Sequence, residues 1–184
     1  MKKVFIGGIG NVLLQDDGIG PLTVCTLASR CIFSSNVEVE DLGTTGLDLA
    51  EYFSGMDAVI VVDSIEADLE PGTIQLFRKS AILQSQVAVR TESHASSLLE
   101  ALATLELLGA GPEEFLLVGV VGLSYELGEK LSECVRMAVE AAISEVLDEL
   151  TRLEVGYSTK PSNAGPDVWW ERQRDPVLQA TGAR

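Results

Sequence analysis

Short apolar runs alternate with segments of helical periodicity along most of the chain. This alternation is typical of parallel βαβ units, in which helices cover a sheet. The clearest helical segment carries apolar residues three and four positions apart: Leu131, Val135, Ala138, Ala142, Val146 and Leu150. The pattern predicts strands at 3–7, 36–41, 57–63, 73–78 and 115–121, and helices at 20–33, 46–54, 95–109 and 126–153.

The connection between the third and fourth predicted strands is too short for a parallel crossover. It spans about ten residues and contains the turn sequence Glu70-Pro71-Gly72-Thr73. A parallel connection usually needs a dozen residues or more, commonly including a helix. We therefore predict an α/β fold with a twisted, five-stranded mixed sheet that is mostly parallel, in which the strand at 73–78 runs antiparallel.

Length and composition indicate a single domain followed by a tail. The chain has 184 residues, of which 46% are hydrophobic, and this is enough for one sizeable core. We predict one domain at 1–154 and a C-terminal tail at 155–184, extended or partly disordered, because turn and linker residues dominate from there. Trp169 and Trp170 lie in the tail, where they are able to dock on the body, a second copy or a partner.

The charge of the chain excludes one large class of partners. Thirteen basic and 28 acidic residues give a net charge of −15, whereas binding of nucleic acid requires clustered Lys and Arg. The sequence also lacks the signals of a membrane or secreted protein. No apolar run approaches the roughly 20 residues that a membrane-spanning helix needs. Met1-Lys2-Lys3 leads directly into a short apolar strand, without the pattern of a signal peptide. We expect a cytoplasmic monomer that binds neither nucleic acid nor membrane.

The three cysteines do not form a recognisable framework. Cys25, Cys31 and Cys134 are odd in number and lack Cys-x-x-Cys spacing, so we do not expect a set of disulfides. Cys25 and Cys134 fall on apolar helical positions, where free cysteine behaves as a small hydrophobic residue. A catalytic thiol paired with His94 remains an alternative.

A glycine-rich turn follows the first strand and runs from Gly8 to Gly20. Its position after a strand and before a helix is where open α/β proteins bind ligands. A dinucleotide fingerprint would need glycine at position 13, which is Leu13, and Asp16 and Asp17 would repel phosphate. The turn therefore supplies carboxylates rather than a phosphate-binding loop.

We predict different roles for the two adjacent aspartates of this turn. One carboxylate, that of Asp16, is sufficient to cap the helix that begins at Gly20-Pro21. Asp17 is then left without a structural role, although it too could cap the helix or form an Asx-turn. Because neighbouring carboxylates repel each other and a bound cation relieves that cost, we interpret Asp17 as a functional residue.

Asp63 and His94 complete the candidate site. Asp63 ends an apolar strand, where an unpaired buried charge would be costly, although it could also cap the turn at Ser64. With a strand order beginning 2-1-3, Asp17 and Asp63 follow the two strands that flank the switch point, where ligands bind. His94 is the only histidine and lies near the start of a helix, capped by Ser93 or Ser97, where the helix dipole favours the neutral ring. The three side chains form a plausible metal site.

Taken together, these residues resemble the hydrogenase maturation endopeptidases, which process the large subunit of nickel-iron hydrogenases. The resemblance covers roughly residues 3–150 and depends on the order and spacing of several motifs. These are the Gly-x-Gly-Asn…Asp-Asp-Gly-x-Gly turn, Asp41…Gly43-Thr44-x-Gly46, Asp63, Pro71-Gly72-Thr73, Ser93-His94 and Val118-Gly119-Val120.

The resemblance implies a fold, a reaction and a set of site residues. The fold would be a three-layer α/β/α sandwich, and the reaction would remove a short C-terminal peptide from the large-subunit precursor after nickel has been installed. The family's metal-binding positions map onto Asp17, Asp63 and His94, although many members carry Glu at the position of Asp17. The two aspartates are also the candidate catalytic residues of an aspartyl-type endopeptidase, and which of them activates water stays open.

The resemblance also bears on the cofactor. Nickel would be supplied by the substrate, and no organic cofactor is expected. The absence of a Ser-His-Asp or Cys-His motif and of His-Glu-x-x-His agrees with this hypothesis. Two alternatives are a conventional metallopeptidase with its own ion and a non-enzymatic, nickel-sensing chaperone that binds the precursor tail.

Overall fold

The fold consists of seven strands and five helices within the part of the chain that a computed structural model describes. That part comprises residues 1–44, 49–84, 92–161, 165–166 and 168–170, with the side chains of 92–96 left out. The strands are β1 (Val4–Ile9), β2 (Cys31–Phe33), β3 (Val37–Gly43), β4 (Ala58–Ile65), β5 (Ile74–Arg78), β6 (Glu114–Val121) and β7 (Tyr157–Thr159). The helices are α1 (Ile19–Arg30), α2 (Leu49–Phe53), α3 (Lys79–Leu83), α4 (Glu92–Leu107) and α5 (Glu133–Arg152), and a 3-10 turn spans Gln15–Gly18.

The central sheet has the order β3-β1-β4-β6-β5. All its neighbours run parallel except β5, which pairs antiparallel with β6. This confirms the predicted mixed sheet and the antiparallel strand at 73–78, and the strand order at the switch point is the one assumed from the sequence. Gly8 of β1 pairs with Val62 of β4. The carboxyl ends of these two strands therefore lie side by side.

Helices cover both faces of the sheet. One hydrophobic cluster joins α1 and α5 to alternate residues of the strands, including Ile6 and Ile60, and a second cluster holds Phe5, Val59 and residues of α2 and α4. The three inner strands, β1, β4 and β6, are buried on both faces, which explains why their sequences are nearly continuous apolar runs. The result is the expected three-layer α/β/α sandwich. Of the helices in the described ranges, none is long and apolar enough to cross a membrane.

Three local predictions of secondary structure were wrong. The first helix ends at Arg30 rather than 33, because 31–33 form β2, which pairs antiparallel with β7. The last helix begins at Glu133 rather than 126, since Ser132 has an extended backbone at its N-cap. The short helix α3 was not predicted, and the N-terminal part of the predicted helix at 46–54 lies outside the described residues.

The beginning of the predicted tail packs on the body. Val155 and Val168 are buried in the core cluster beside α1 and α5, and Trp170 packs against that cluster. Trp169 makes an edge-to-face contact with Trp170, with ring centroids 5.7 Å apart, and remains exposed. The division at residue 155 into domain and tail stays a prediction.

A charged network fixes the end of α5 to the sheet. The Glu149 carboxylate is buried and accepts hydrogen bonds from Arg78 of β5 and from Arg152, which also binds Glu114 of β6. Burial alone would raise the pKa of Glu149, but the two arginines outweigh it and lower that pKa to about 2. The ionised carboxylate is therefore the form that stabilises the fold.

We expect Glu149→Gln to lower the free energy of unfolding by about 2 kcal/mol at pH 7, after discounting for the half-exposed arginines. The folded-state pKa lies below the ordinary value of 4.5, so this contribution is present above pH 4.5 and is lost as the pH falls toward about 2. Urea unfolding of both proteins between pH 7 and pH 3 measures the difference.

Glu140→Gln is the matched control for this prediction. Glu140 is an exposed residue of α5 that pairs with Arg30, and loss of such a surface ion pair costs only about 0–1 kcal/mol. A difference between wild type and Glu149→Gln that does not shrink below pH 4.5 would contradict the assignment.

Candidate active site

Asp17 and Asp63 come together at the carboxyl ends of β1 and β4. Asp17 lies on the 3-10 turn after β1, and Asp63 lies within β4, which continues to Ile65. Ser64 donates to both residues, with its hydroxyl 2.8 Å from Asp17 Oδ1 and its N–H 2.8 Å from Asp63 Oδ1. The backbone N–H of Asn11 donates to Asp17 Oδ2 at 2.9 Å. Ser64 is thus a site residue for which sequence reasoning had foreseen only a turn.

The environment of this pair is unfavourable for two negative charges. Both carboxylates are buried. Burial raises the pKa of Asp63 well above its usual value, the charge of Asp17 raises it further, and the Ser64 N–H acts in the opposite direction. Two close carboxylates of this kind either share a proton or bind a cation. The geometry therefore suits proton transfer or metal ligation.

Glycines allow the turn to approach the strand ends this closely. Gly10 has a φ of +142°, and a Cβ there would overlap the carbonyl oxygen of Asp17. A Cβ on Gly20 would overlap the carbonyl oxygen of Ile9 and come within 2.5 Å of that of Val62. The glycine spacing of the turn is thus explained by backbone packing around the two aspartates, without a phosphate ligand.

Asp16 does not cap the first helix, and that prediction was wrong. The N-cap of α1 is Gly18, without a side-chain hydrogen bond. The fully buried Asp16 carboxylate instead accepts hydrogen bonds from the N–H groups of Leu123, Ser124 and Ser132 at 2.9, 3.1 and 2.7 Å, and from the Ser132 hydroxyl at 2.8 Å. Asp16 therefore joins the turn to the loop 122–132, more than 100 residues further along the chain.

His94 lies in the first turn of α4, as predicted. The helix begins at Glu92, so Ser93 and Ser97 lie inside it and neither is its cap, contrary to the prediction. The His94 side chain is outside the described residues, and its place beside Asp17 and Asp63 stays a prediction. Among the side chains that are described, no three His, Cys, Asp or Glu residues form a group able to hold a metal.

The cysteines do not favour a thiol mechanism. All three are free, and burial, followed by the charge of Asp41, raises the pKa of Cys25 to about 11. Burial also raises the pKa of Cys31. Both thiols are therefore protonated at neutral pH, whereas a nucleophilic cysteine needs a thiolate.

Comparison with known proteins identifies the family. A family model described as hydrogenase maturation protease matches residues 21–149. The hydrogenase expression/formation protein HoxM of Azotobacter vinelandii is 33% identical over 163 residues, which cover 88% of this chain and 79% of that protein. The hydrogenase 2 maturation protease of Escherichia coli K12 is 31% identical and is covered over 98% of its length, against 88% of this chain.

The structural comparison agrees with this result. The hydrogenase maturating endopeptidase HybD from E. coli superimposes with a TM-score of 0.81 at 30% identity, over 86% of this chain and 98% of that one. The chain belongs to the hydrogenase maturation protease family and is an endopeptidase. The family, the fold and the enzyme class predicted from the sequence are thereby confirmed, and the non-enzymatic alternative is set aside.

Proposed function

We propose that this endopeptidase removes a C-terminal peptide from the nickel-loaded large-subunit precursor of a nickel-iron hydrogenase. The proposal is supported above all by the buried pair of Asp17 and Asp63, which both accept hydrogen bonds from Ser64. The pair lies at the carboxyl ends of the parallel strands, where α/β proteins bind ligands. Relatives whose names refer to hydrogenase maturation support the choice of substrate.

In the proposed reaction, nickel belongs to the substrate. Nickel bound to soft thiolates of the precursor still accepts oxygen and imidazole ligands, which Asp17, Asp63 and His94 would provide. Burial is the main cause of the raised pKa of Asp63, and a cation between the two carboxylates would relieve the further rise that the charge of Asp17 causes. Contact with the metal would also hold the scissile bond beside the aspartates, and this positioning would speed the reaction.

The aspartates are also the proposed acid–base groups. Hydrolysis of a peptide bond requires a group that takes a proton from the attacking water. Asp16 is unsuited to this role, because its oxygens already accept four hydrogen bonds from the loop 122–132. Among the described residues, Asp17 and Asp63 are the other two buried aspartates, and either is able to accept the proton.

The test compares nickel-loaded and nickel-free precursor as substrates. Each form is incubated with the purified enzyme, and the loss of the C-terminal peptide is followed by mass spectrometry. We expect cleavage of the loaded form only. Equal cleavage of both forms would contradict the proposal and favour a conventional metallopeptidase with its own ion.

A further inference from the structure

Three exposed leucines lie on two loops beside the pair of Asp17 and Asp63. Leu13 follows β1 and is 44% exposed, and Leu123 and Leu127, on the loop 122–132, are 60% and 76% exposed. We call this set the leucine rim. Single exposed leucines are common on protein surfaces. Three exposed leucines on adjoining segments next to an active site are less common and indicate a binding surface.

The two loops of the leucine rim are fixed to each other. Leu14 and Leu127 form an antiparallel bridge, and the Gly128 N–H donates to the Leu13 carbonyl at 2.8 Å. The Asp16 N–H donates to the Ser124 carbonyl at 3.2 Å, and the Asp16 carboxylate binds the N–H of Leu123. The leucines are therefore presented by an ordered backbone, and the same 3-10 turn carries both Asp16 and Asp17.

The position of the leucine rim indicates what it contacts. A protein substrate of an endopeptidase has to reach Asp17 and Asp63 at the carboxyl edge of the sheet. Leu123 and Leu127 leave 60% and 76% of their surfaces exposed, and packing against a folded protein would bury that apolar area. Exposed apolar surface of this kind marks sites of protein association.

We infer that the leucine rim docks an apolar patch on the folded body of the precursor, next to the nickel site whose tail is cut. Exposed Glu126 and Glu129 border Leu127 and outnumber the one basic residue of the loop 122–132, exposed Lys130, and the chain as a whole carries a charge of −15. The matching patch is therefore apolar with basic residues around it. The identity of this partner rests on the proposed function. The docking surface itself is defined by the geometry of the two loops.

The test is the double variant Leu123→Ser/Leu127→Ser in steady-state cleavage of nickel-loaded precursor. We expect KM to rise by about tenfold or more, because each leucine would lose a buried contact, while kcat stays within about twofold of wild type. The single variant Leu127→Ser, at the most exposed position of the rim, is expected to show a smaller rise in KM and guards against misfolding of the double variant.

The matched control is Leu107→Ser/Leu108→Ser. These leucines are 88% and 70% exposed. They lie between the end of α4 and the start of β6, toward the amino-terminal ends of the parallel strands and away from Asp17 and Asp63. We expect this variant to cleave like wild type. A rise in KM equal to that of the rim variant would overturn the inference, because any exposed leucine would then have the same effect.

Other outcomes separate this inference from the proposed function. If wild type fails to cleave the loaded precursor, the proposed function is wrong, and with it the identity of the partner. If wild type cleaves but the rim variants keep the wild-type KM, or lose only kcat, the docking surface alone is wrong. A wild-type dimer in sedimentation that the rim variant dissociates would also overturn it, by showing that a second copy covers the leucines.

Discussion

Asp17→Asn is expected to slow cleavage of the nickel-loaded precursor by a factor of about 10²–10⁴, the range of a lost acid–base group. The amide keeps the shape of the side chain and an oxygen for the N–H of Asn11 or the hydroxyl of Ser64. It removes the negative charge that the proposal assigns to nickel binding or water activation. Initial rates followed by mass spectrometry measure the loss.

Two companion variants make this result specific. His94→Gln is expected to show a comparable loss, because the ring is assigned to the same metal ion. Asp148→Asn, at an exposed position of α5 remote from the site, is expected to retain the wild-type rate. Circular dichroism should show unchanged helical content in all three. Full activity of Asp17→Asn would remove this residue from the proposed site.

Asp16→Ala is expected to lower the free energy of unfolding by about 2–4 kcal/mol, the cost of leaving several partly buried donors without an acceptor. Three backbone N–H groups and the Ser132 hydroxyl lose their partner in this variant. Asp16→Ala is thus expected to affect stability, because Asp16 joins two loops, whereas Asp17→Asn is expected to affect the cleavage rate, because Asp17 is a proposed site residue. Urea unfolding monitored by fluorescence measures it.

Asp16→Asn serves as the milder comparison for this prediction. The amide retains one acceptor oxygen for the loop 122–132, so its destabilisation should be smaller than that of the alanine variant. A change below about 0.5 kcal/mol in Asp16→Ala, which is typical of surface substitutions, would show that the loop does not depend on this carboxylate.

The strands of the sheet were predictable because they are encoded locally. Buried parallel strands appear as continuous apolar runs, and the short connection through Pro71-Gly72 is incompatible with a parallel crossover. Once the order of the first three strands was assumed, the proximity of Asp17 and Asp63 followed from topology. The structure places them as that order requires, bridged by Ser64.

The remaining features depend on contacts between distant parts of the chain. The pairing of 31–33 with 157–159 links segments more than 120 residues apart, so the local pattern shows only the end of a helix. The role of Asp16 likewise depends on Ser132 and the loop before α5, which a sequence window around residue 16 does not contain. In both cases tertiary contacts override the local preference that the prediction used.

Recognition of nickel held by the substrate is tested by the cleavage rate as a function of the nickel occupancy of the precursor. Precursor samples are prepared with nickel contents from none to one ion per chain, and the enzyme is freed of metal beforehand. We expect a rate that is proportional to occupancy and extrapolates to zero without nickel. A rate that is independent of occupancy would contradict it.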